Sequence, residues 1–232
     1  MKNILILFIG AVMLQSCIII RTDRDGVYRN YDNSEKVQDF AGKPMESRDF
    51  EVKKFSEIKA NSAMKVYIKK APQQKVVVNS NAINYIVVSS DNGILKVEYN
   101  HQTNSINNIN AEVTVYTPDF ENLSASSAGQ IFINDDFQLN KLKINLDSAG
   151  KVMGNIFAEK LFVNVSSAAF LESKVQSKII EIDASSASKV NLSGSTDEIK
   201  INASSVAKIN LENLKYKNIQ KESSSLAKIY VK

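Results

Sequence analysis

A motif of small residues recurs six times in the second half of the chain and limits the fold more strongly than any other feature. Each copy has a Ser-Ser or Asp-Ser pair followed by an apolar residue, usually alanine. The anchor serines recur at nearly constant intervals along the sequence, and they are Ser127, Ser148, Ser167, Ser186, Ser205 and Ser225. This period is typical of solenoid proteins, in which each repeat forms one coil that packs on its neighbours.

Apolar and polar residues alternate through every copy of the motif, which predicts strands with one buried face. In one copy the alternate positions predicted to face inward are Ile199, Ile201, Ala203, Ser205, Ala207, Ile209 and Leu211. About 19 residues at about 3.3 Å each give a circuit near 60 Å, and each coil then pairs in parallel with the next about 4.8 Å away. The same parity places the anchor serines on the buried side of a bend, where we expect their hydroxyls to find backbone partners.

A further copy of the motif at residues 61–68 extends the repeat towards the amino terminus. We therefore predict one all-β domain at residues 48–232, a β-solenoid with a less regular part at 48–120 and regular coils at 121–232. Within the less regular part, Asp91-Asn92-Gly93 predicts a tight β-hairpin turn.

The amino terminus has the pattern of a secretory signal. Lys2 precedes the apolar run Ile4–Leu14, which is too short to span a bilayer comfortably. Leu14-Gln15-Ser16-Cys17 resembles the bacterial lipobox, and this resemblance implies removal of residues 1–16 and lipidation of Cys17. Buried acyl chains contribute about 0.8 kcal/mol per CH₂, so several chains anchor a protein stably to a membrane. The alternative is an uncleaved apolar anchor with an incidental thiol.

The segment that follows the lipobox is mostly polar and shows no sustained period. We interpret residues 17–47 as a lipidated tether between the membrane and the solenoid. The predicted location is the bacterial cell envelope, as an outer-membrane lipoprotein that faces the periplasm or the surface.

Charge and composition argue against several classes of function. The net charge of +4 comes from 29 basic and 25 acidic residues mixed along the chain, which does not indicate nucleic-acid binding. With one histidine and one cysteine, the chain has too few ligands for a zinc centre, and we expect neither a metal nor another cofactor. His101 lies in an asparagine-rich polar segment, where a Ser-His-Asp triad is not expected.

A polysaccharide-cleaving β-helix is the enzymatic alternative, because such sites can use carboxylates alone. The candidates are the pair Asp135-Asp136 and, one coil further on, Asp147. Adjacent residues of a strand point to opposite faces, and an acidic pair in a turn is more simply a solvated corner. We therefore predict no catalytic residues and rank the enzyme third among the functions considered.

Two polar rows and two aromatic residues are candidate binding features. Equivalent positions after the motif carry Gln130, Lys151, Phe170, Lys189, Lys208 and Lys228, and equivalent positions before it carry Asn145, Asn164, Asp183 and Asn202. Phe162 and Phe170 interrupt the polar surface in one coil. The four lysines and the two phenylalanines form the predicted ligand site, suited to an anionic glycan or lipid head groups. The alternative is that the lysines keep exposed strands soluble.

The order of these motifs resembles the "putative auto-transporter adhesin, head GIN domain" family of bacterial envelope proteins. The resemblance rests on the segments 55–58, 61–68, 91–97 and 125–129 and covers residues 48–232. It implies a right-handed parallel β-helix, often preceded by a lipoprotein leader, and a function in adhesion. The resemblance supplies no catalytic residues.

The main functional hypothesis is therefore a membrane-tethered, non-catalytic binding or adhesion module of the cell envelope. A structural or sensory envelope component without an external ligand is the alternative. The last motif runs through Ala227 to Lys232, which predicts a final coil with an unpaired strand edge. We expect weak, concentration-dependent self-association through that coil.

Overall fold

Strands make up most of the chain in the computed structural model, which describes residues 38–100 and 106–232. The first half contains β1 Gln38–Asp39, β2 Glu46–Phe50, β3 Glu57–Ala60, β4 Lys65–Lys70, β5 Lys75–Ser80, β6 Ile86–Asp91, β7 Ile94–Tyr99, β8 Ile106–Asn107 and β9 Ala111–Thr117. The second half contains β10 Asn122–Ala125, β11 Gln130–Ile133, β12 Gln138–Leu146, β13 Lys151–Val165, β14 Phe170–Ala184, β15 Lys189–Ala203, β16 Lys208–Lys215, β17 Asn218–Ser223 and β18 Lys228–Tyr230. A short 3₁₀ helix covers Ile83–Tyr85, and within the described ranges no helix has the length and hydropathy of a membrane span.

The regular coils stack in parallel, and the predicted β-solenoid is confirmed, with about 5 turns. The three longest strands, β13, β14 and β15, pair in parallel along their whole length, and their register is the same throughout. Val163 thus lies beside Ile182, which lies beside Ile201. Because this register equals the sequence period, equivalent residues of successive coils form columns.

The core of the solenoid consists of such columns of inward-facing apolar side chains. One column before the motif contains Leu123, Ile144, Val163, Ile182 and Ile201, and one after it contains Val66, Ile131, Val152, Leu171, Val190 and Ile209. All of these side chains are buried, and burial of one aliphatic side chain contributes about 1.5–3 kcal/mol. The alternation seen in the sequence therefore produces the buried interior.

The Ser-Ser-Ala motif forms a tight turn, and the prediction that its anchor serines are buried is wrong. In one turn the Gly150 N–H donates to the Asp147 carbonyl at 2.7 Å, and both intervening residues have positive φ, 46° at Ser148 and 61° at Ala149. Two positive φ values define a type I′ turn. The turn interrupts the strand alternation, so all six anchor serines point into solvent.

Successive turns are hydrogen-bonded to one another. The Ala149 N–H donates to the Ser167 carbonyl at 3.0 Å, and the Ala168 N–H donates to the Ser186 carbonyl at 3.0 Å. The same bond joins the other neighbouring turns of the series, from Ala63 to Ser225. We call this series of bonded turns the turn ladder.

The less regular amino-terminal half extends the solenoid first with the parallel strands β7 and β9 and then with antiparallel strands. β4 is extended by β9, β5 and β2, and β3 is extended by β7 and β6. The hairpin predicted at residues 91–93 is confirmed, since β6 and β7 are antiparallel and join through Asn92 and Gly93, both at positive φ.

The paired strands begin earlier in the chain than the predicted boundary at residue 48. β1 pairs with β8, and β2 starts at Glu46, so residues 38–47 of the predicted tether include paired strand. The predicted signal, Cys17 and His101 lie outside the described residues.

Among the coils from β10 onward, variation in length is confined to one corner, which follows the strand after the turn. Ile133 pairs with Gly154, an offset of 21, whereas Gln138 pairs with Phe157, an offset of 19. The two additional residues therefore lie between Ile133 and Gln138. The final coil is one residue longer than the coil before it. The additional residue lies at the equivalent corner, in a bulge opposite Asn191 and Ser193.

The final coil has polar side chains in two inward columns where the other coils have apolar ones. Lys221 pairs with Ile201 and continues its inward column, and Ser223 likewise continues the column of Ala203. Both residues are exposed, because no further coil covers them within the described chain. These two columns thus lose their apolar character in the final coil, whereas Ile219 and Ile229 continue other columns and pack against the core.

Candidate functional site

Strand register brings the predicted lysines together on one face of the solenoid. Gln130, Lys151, Phe170, Lys189, Lys208 and Lys228 are direct partners on consecutive strands, and we call them the lysine row. Adjacent members are separated by one strand spacing, about 4.8 Å. Lys189, Lys208 and Lys228 are exposed, whereas Lys151 and Phe170 are half-buried.

Phe170 interacts with the lysine on each side of it. The Nζ atom of Lys151 lies 5.2 Å from the ring centroid, and the Nζ atom of Lys189 lies 5.5 Å from it. Both distances are within the range of a cation–π interaction, which contributes about 0.5–1 kcal/mol at an exposed site. The ring therefore holds two ammonium groups beside an apolar surface.

A second outward column runs beside the lysine row, and the sequence prediction missed its aromatic residues. The rings of Tyr67 and Phe132 stack with centroids 5.0 Å apart and an interplanar angle of 16°. Met153 follows in the same column, one coil further on. The signal was present in the aligned motifs, since Tyr67 and Phe132 occupy equivalent positions in two copies. Burial, together with the Glu112 carboxylate, raises the pKa of Tyr67, so its hydroxyl remains a proton donor at neutral pH.

Phe162 does not join the lysine row. It lies on the strand segment that precedes the turn, in a column with Lys143 and Glu181, whereas the row follows the turn. The Nζ atom of Lys141 lies 5.3 Å from its ring centroid. The predicted set of six residues thus divides into a row of five and one separate aromatic residue.

The second predicted row is also in register and lines a shallow groove of about 560 Å³ before the turn. The Asn164 side-chain amide donates to Asn145 Oδ1 at 2.9 Å, and the Asn202 amide donates to Asp183 Oδ1 at 2.7 Å. Serines at the start of successive turns form the other wall. Neither this groove nor the other three main grooves on the described part of the chain is lined by a lysine of the row. The lysine row therefore presents an open face.

The acidic residues considered for catalysis occupy different corners of the coil. Asp135 Oδ2 accepts a hydrogen bond from the Lys70 N–H at 2.7 Å, and Asp136 Oδ1 accepts one from the Asn155 amide at 3.3 Å. Asp147 instead starts a turn. Among residues 38–100 and 106–232 no group of three or more His, Cys, Asp or Glu side chains is placed to hold a metal ion. The pair at 135–136 thus ties one coil to the next.

Fold and surface together define a parallel β-solenoid that presents repeated polar and aromatic rows on open faces. The chain belongs to the family described as "putative auto-transporter adhesin, head GIN domain", which matches residues 54–232. Membership of this adhesin-like family indicates a non-enzymatic protein of the bacterial envelope or surface.

Solved structures share the fold at low sequence identity. A "putative adhesin" from Bacteroides fragilis is 15% identical, covers 82% of this chain and 98% of its own, and has a TM-score of 0.65. A "putative lipid binding protein" from Parabacteroides distasonis is 17% identical, covers 85% and 100%, and has a TM-score of 0.63. A "putative adhesin" from Parabacteroides merdae is 11% identical, covers 82% and 97%, and has a TM-score of 0.54. No curated protein matches the sequence.

Proposed function

We propose that this protein is a membrane-tethered adhesion module whose lysine row binds an anionic glycan. The observation that carries the proposal is Phe170, held between the ammonium groups of Lys151 and Lys189 in a row that continues through two more lysines. An apolar ring between regularly spaced cations offers a stacking surface for a sugar ring together with partners for its acidic groups. The family's adhesin description supports the same conclusion.

The regular spacing of the row favours a polymer over a single small anion. Each coil contributes one side chain about 4.8 Å from the next, so a linear glycan can contact several coils at once. Contacts made by linked groups reinforce one another, because each bound group raises the effective concentration of the next. A face of this kind needs no deep cavity, in agreement with the open position of the row.

The test uses the chain from residue 17 onward with Cys17→Ser, which carries no acyl chain. It measures binding to alginate, a carboxylated polysaccharide, with neutral dextran as the comparison ligand. We expect binding to alginate but not to dextran. The double variant Lys151→Gln/Lys189→Gln should bind alginate about tenfold more weakly, equivalent to about 1.4 kcal/mol. Phe170→Ala should weaken binding as well, since both lysines lose their aromatic partner.

The matched control is Lys141→Gln/Lys160→Gln, with Phe162→Ala as the aromatic counterpart. These variants remove the same charges and ring from the strand segment before the turn. They should leave alginate binding within twofold of the unmodified chain, about 0.4 kcal/mol. If the lysine-row variants and the control variants lose alginate binding equally, the binding is general charge attraction. That result would favour a structural or sensory component without an external ligand.

The membrane tether is proposed on the lipobox residues Leu14 to Cys17. Cys17→Ala should release the protein from the membrane fraction, because the acyl chains provide the anchor. Cell fractionation with metabolic fatty-acid labelling measures both properties. A variant that stays in the membrane fraction, with an unlabelled parent protein, would contradict the tether.

A further inference from the structure

Two exposed aliphatic side chains stand at the tips of the last two turns of the turn ladder. The third residue of the turn is alanine in the five earlier turns, and these are Ala63, Ala128, Ala149, Ala168 and Ala187. In the last two turns this residue is Val206 and then Leu226. Val206 is 48% exposed and Leu226 is 82% exposed, the largest exposed fraction among the large apolar side chains of the described chain. The Val206 N–H donates to the Ser225 carbonyl at 3.0 Å, so the two tips are neighbours.

These two side chains do not help the fold at this position. Val206 has φ +67° and Leu226 has φ +64°, a left-handed conformation that costs an L-residue about 1–2 kcal/mol and is exceptional for a β-branched residue. Alanine forms the same turn elsewhere in the chain. Leu226 is largely exposed and Val206 is about half exposed, so packing offsets only part of this cost, and the observed strain points to a role outside the fold.

Basic and aromatic residues flank the two tips on the side that follows the turn. Lys208 and Lys228 each lie two residues after an aliphatic tip, are direct partners, and are exposed. Tyr230 follows Lys228 in the next outward position and is 43% exposed. The patch thus combines protruding aliphatic groups with two cations and a tyrosine. We define the turn-tip patch as Val206, Leu226, Lys208, Lys228 and Tyr230.

We propose that the turn-tip patch docks on the surface of an anionic lipid bilayer. Aliphatic side chains enter the boundary between head groups and acyl chains, lysines attract anionic lipids, and tyrosine is favoured at the same depth. A second copy of the chain fits less well, since its own Lys208 and Lys228 would approach the same charges. The patch therefore adds a membrane contact at the last coils. It shares Lys208 and Lys228 with the lysine row, but its aliphatic tips belong to the patch alone, and it does not depend on the predicted acyl chains.

The test uses the chain from residue 17 onward with Cys17→Ser, so that no acyl chain contributes. Co-sedimentation is measured with vesicles in which phosphatidylglycerol is mixed into an excess of phosphatidylcholine, and with vesicles of phosphatidylcholine alone. We expect binding to the anionic vesicles, and a loss of about tenfold in the variant Val206→Ala/Leu226→Ala, equivalent to about 1.4 kcal/mol. This variant keeps the fold, because alanine already occupies five equivalent turns.

The matched control is Met45→Ala/Val87→Ala, which truncates two apolar side chains of 41% and 39% exposure near the other end of the domain. This control and Phe170→Ala should both bind the vesicles like the parent chain, which separates vesicle docking at the aliphatic tips from glycan binding at Phe170. Equal binding of parent and tip variant would overturn the proposal. Sedimentation equilibrium without vesicles tests whether a second copy of the chain covers the patch instead. Self-association of the parent chain that is lost in the tip variant and kept in the control would identify the second copy as the partner.

Discussion

Individual residues of the turn ladder adopt a conformation that most side chains avoid. Each turn has two consecutive non-glycine residues with φ between 46° and 67° in the copies from Ser127 onward. The left-handed region costs about 1–2 kcal/mol per L-residue, and the cost is offset by hydrogen bonds within and between turns. Serine and alanine are suited to the position because they are small, and the serine hydroxyl needs no buried partner.

A substitution at one anchor serine tests this account. Ser186 is exposed, has φ +53° and accepts a hydrogen bond from the Ala168 N–H through its carbonyl. Ser186→Val should lower the free energy of unfolding by about 1–2 kcal/mol, because a β-branched side chain is strained at positive φ. Ser186→Asn should change it by no more than about 0.5 kcal/mol, since asparagine tolerates this region. Urea denaturation measures both variants, and indistinguishable midpoints would contradict the turn assignment.

At the scale of strands, charged side chains at one corner stabilise the register of successive coils. Lys178 Nζ lies 2.5 Å from Glu159 Oε1, and Lys217 Nζ lies 2.8 Å from Asp197 Oδ1. The four residues alternate in sign along consecutive coils. Slippage by one coil would place like charges together, so this corner favours the observed stacking.

The Glu159–Lys178 pair predicts a pH dependence of stability. The hydrogen bond and charge of Lys178 lower the pKa of Glu159 below its ordinary value of 4.5, and Glu159 raises the pKa of Lys178 above 10.5. The carboxylate therefore stabilises the fold above about pH 4.5, and this contribution is lost as the pH falls through the lowered pKa. The lysine contribution is complete below pH 10.5 and is lost as the pH rises through the raised pKa.

The matched substitutions are Glu159→Gln and Glu181→Gln, followed by thermal denaturation between pH 3 and 8. The difference in Tm between the parent chain and Glu159→Gln should be largest near neutral pH and should shrink below about pH 4.5. Glu181, for which the described residues provide no ion pair, should show a smaller difference at neutral pH. A Tm difference between the parent chain and Glu159→Gln that stays constant from pH 3 to 8 would contradict the lowered pKa of Glu159.

Strand alternation and period predicted the regular coils, because inward and outward positions of a strand are visible in the sequence. The columns through Ile201 and through Lys189 follow directly from the regular spacing of the motif. The prediction that the anchor serines are buried fails because a tight turn keeps the number of residues per coil while it points these side chains outward. The prediction places Phe162 in the same site as Phe170 because the sequence pattern does not show that the turn lies between their two positions in the coil.

The antiparallel additions at the amino terminus were only partly visible in the sequence. The Asn92-Gly93 turn carries a local signal, whereas the pairing of β5 with β9 joins segments that share no motif. Long-range pairing of this kind depends on which edges are free once the coils have stacked. The sequence therefore predicted the hairpin but not the extension of the solenoid by β2, β5 and β9.

For the whole molecule, the final coil combines an open strand edge with polar residues in two of its inward columns. β17 and β18 each pair on one side only, so backbone groups remain available for another chain. Lys221 and Ser223 replace the apolar residues of their inward columns. Inward-pointing charge is a recognised protection of sheet edges, and terminal repeats of solenoids are commonly polar. The prediction that self-association is weak rests on both properties.

Restoring the apolar column should strengthen self-association. Lys221→Ile/Ser223→Ala extends the apolar interior to the exposed end, and sedimentation velocity over a wide concentration range should show dimers or larger species at lower concentration than in the parent chain. Lys200→Ile/Ser204→Ala is the control, with the same chemical changes at positions that lie outside the inward columns. Equal behaviour of the two variants would show that added surface hydrophobicity, and not the inward column, drives association.

The one corner that varies in length among the regular coils gives the fold a place to accept new sequence. Two coils of this chain already differ in length there, at residues 134–137 and at the bulge near Glu212, while Gln130, Lys151 and Lys228 remain in line. Residues can therefore be inserted or deleted at that corner without disturbing the faces on either side of the turn. The same corner is the natural position for a grafted peptide in an engineered scaffold, since the coils above and below would keep their alignment.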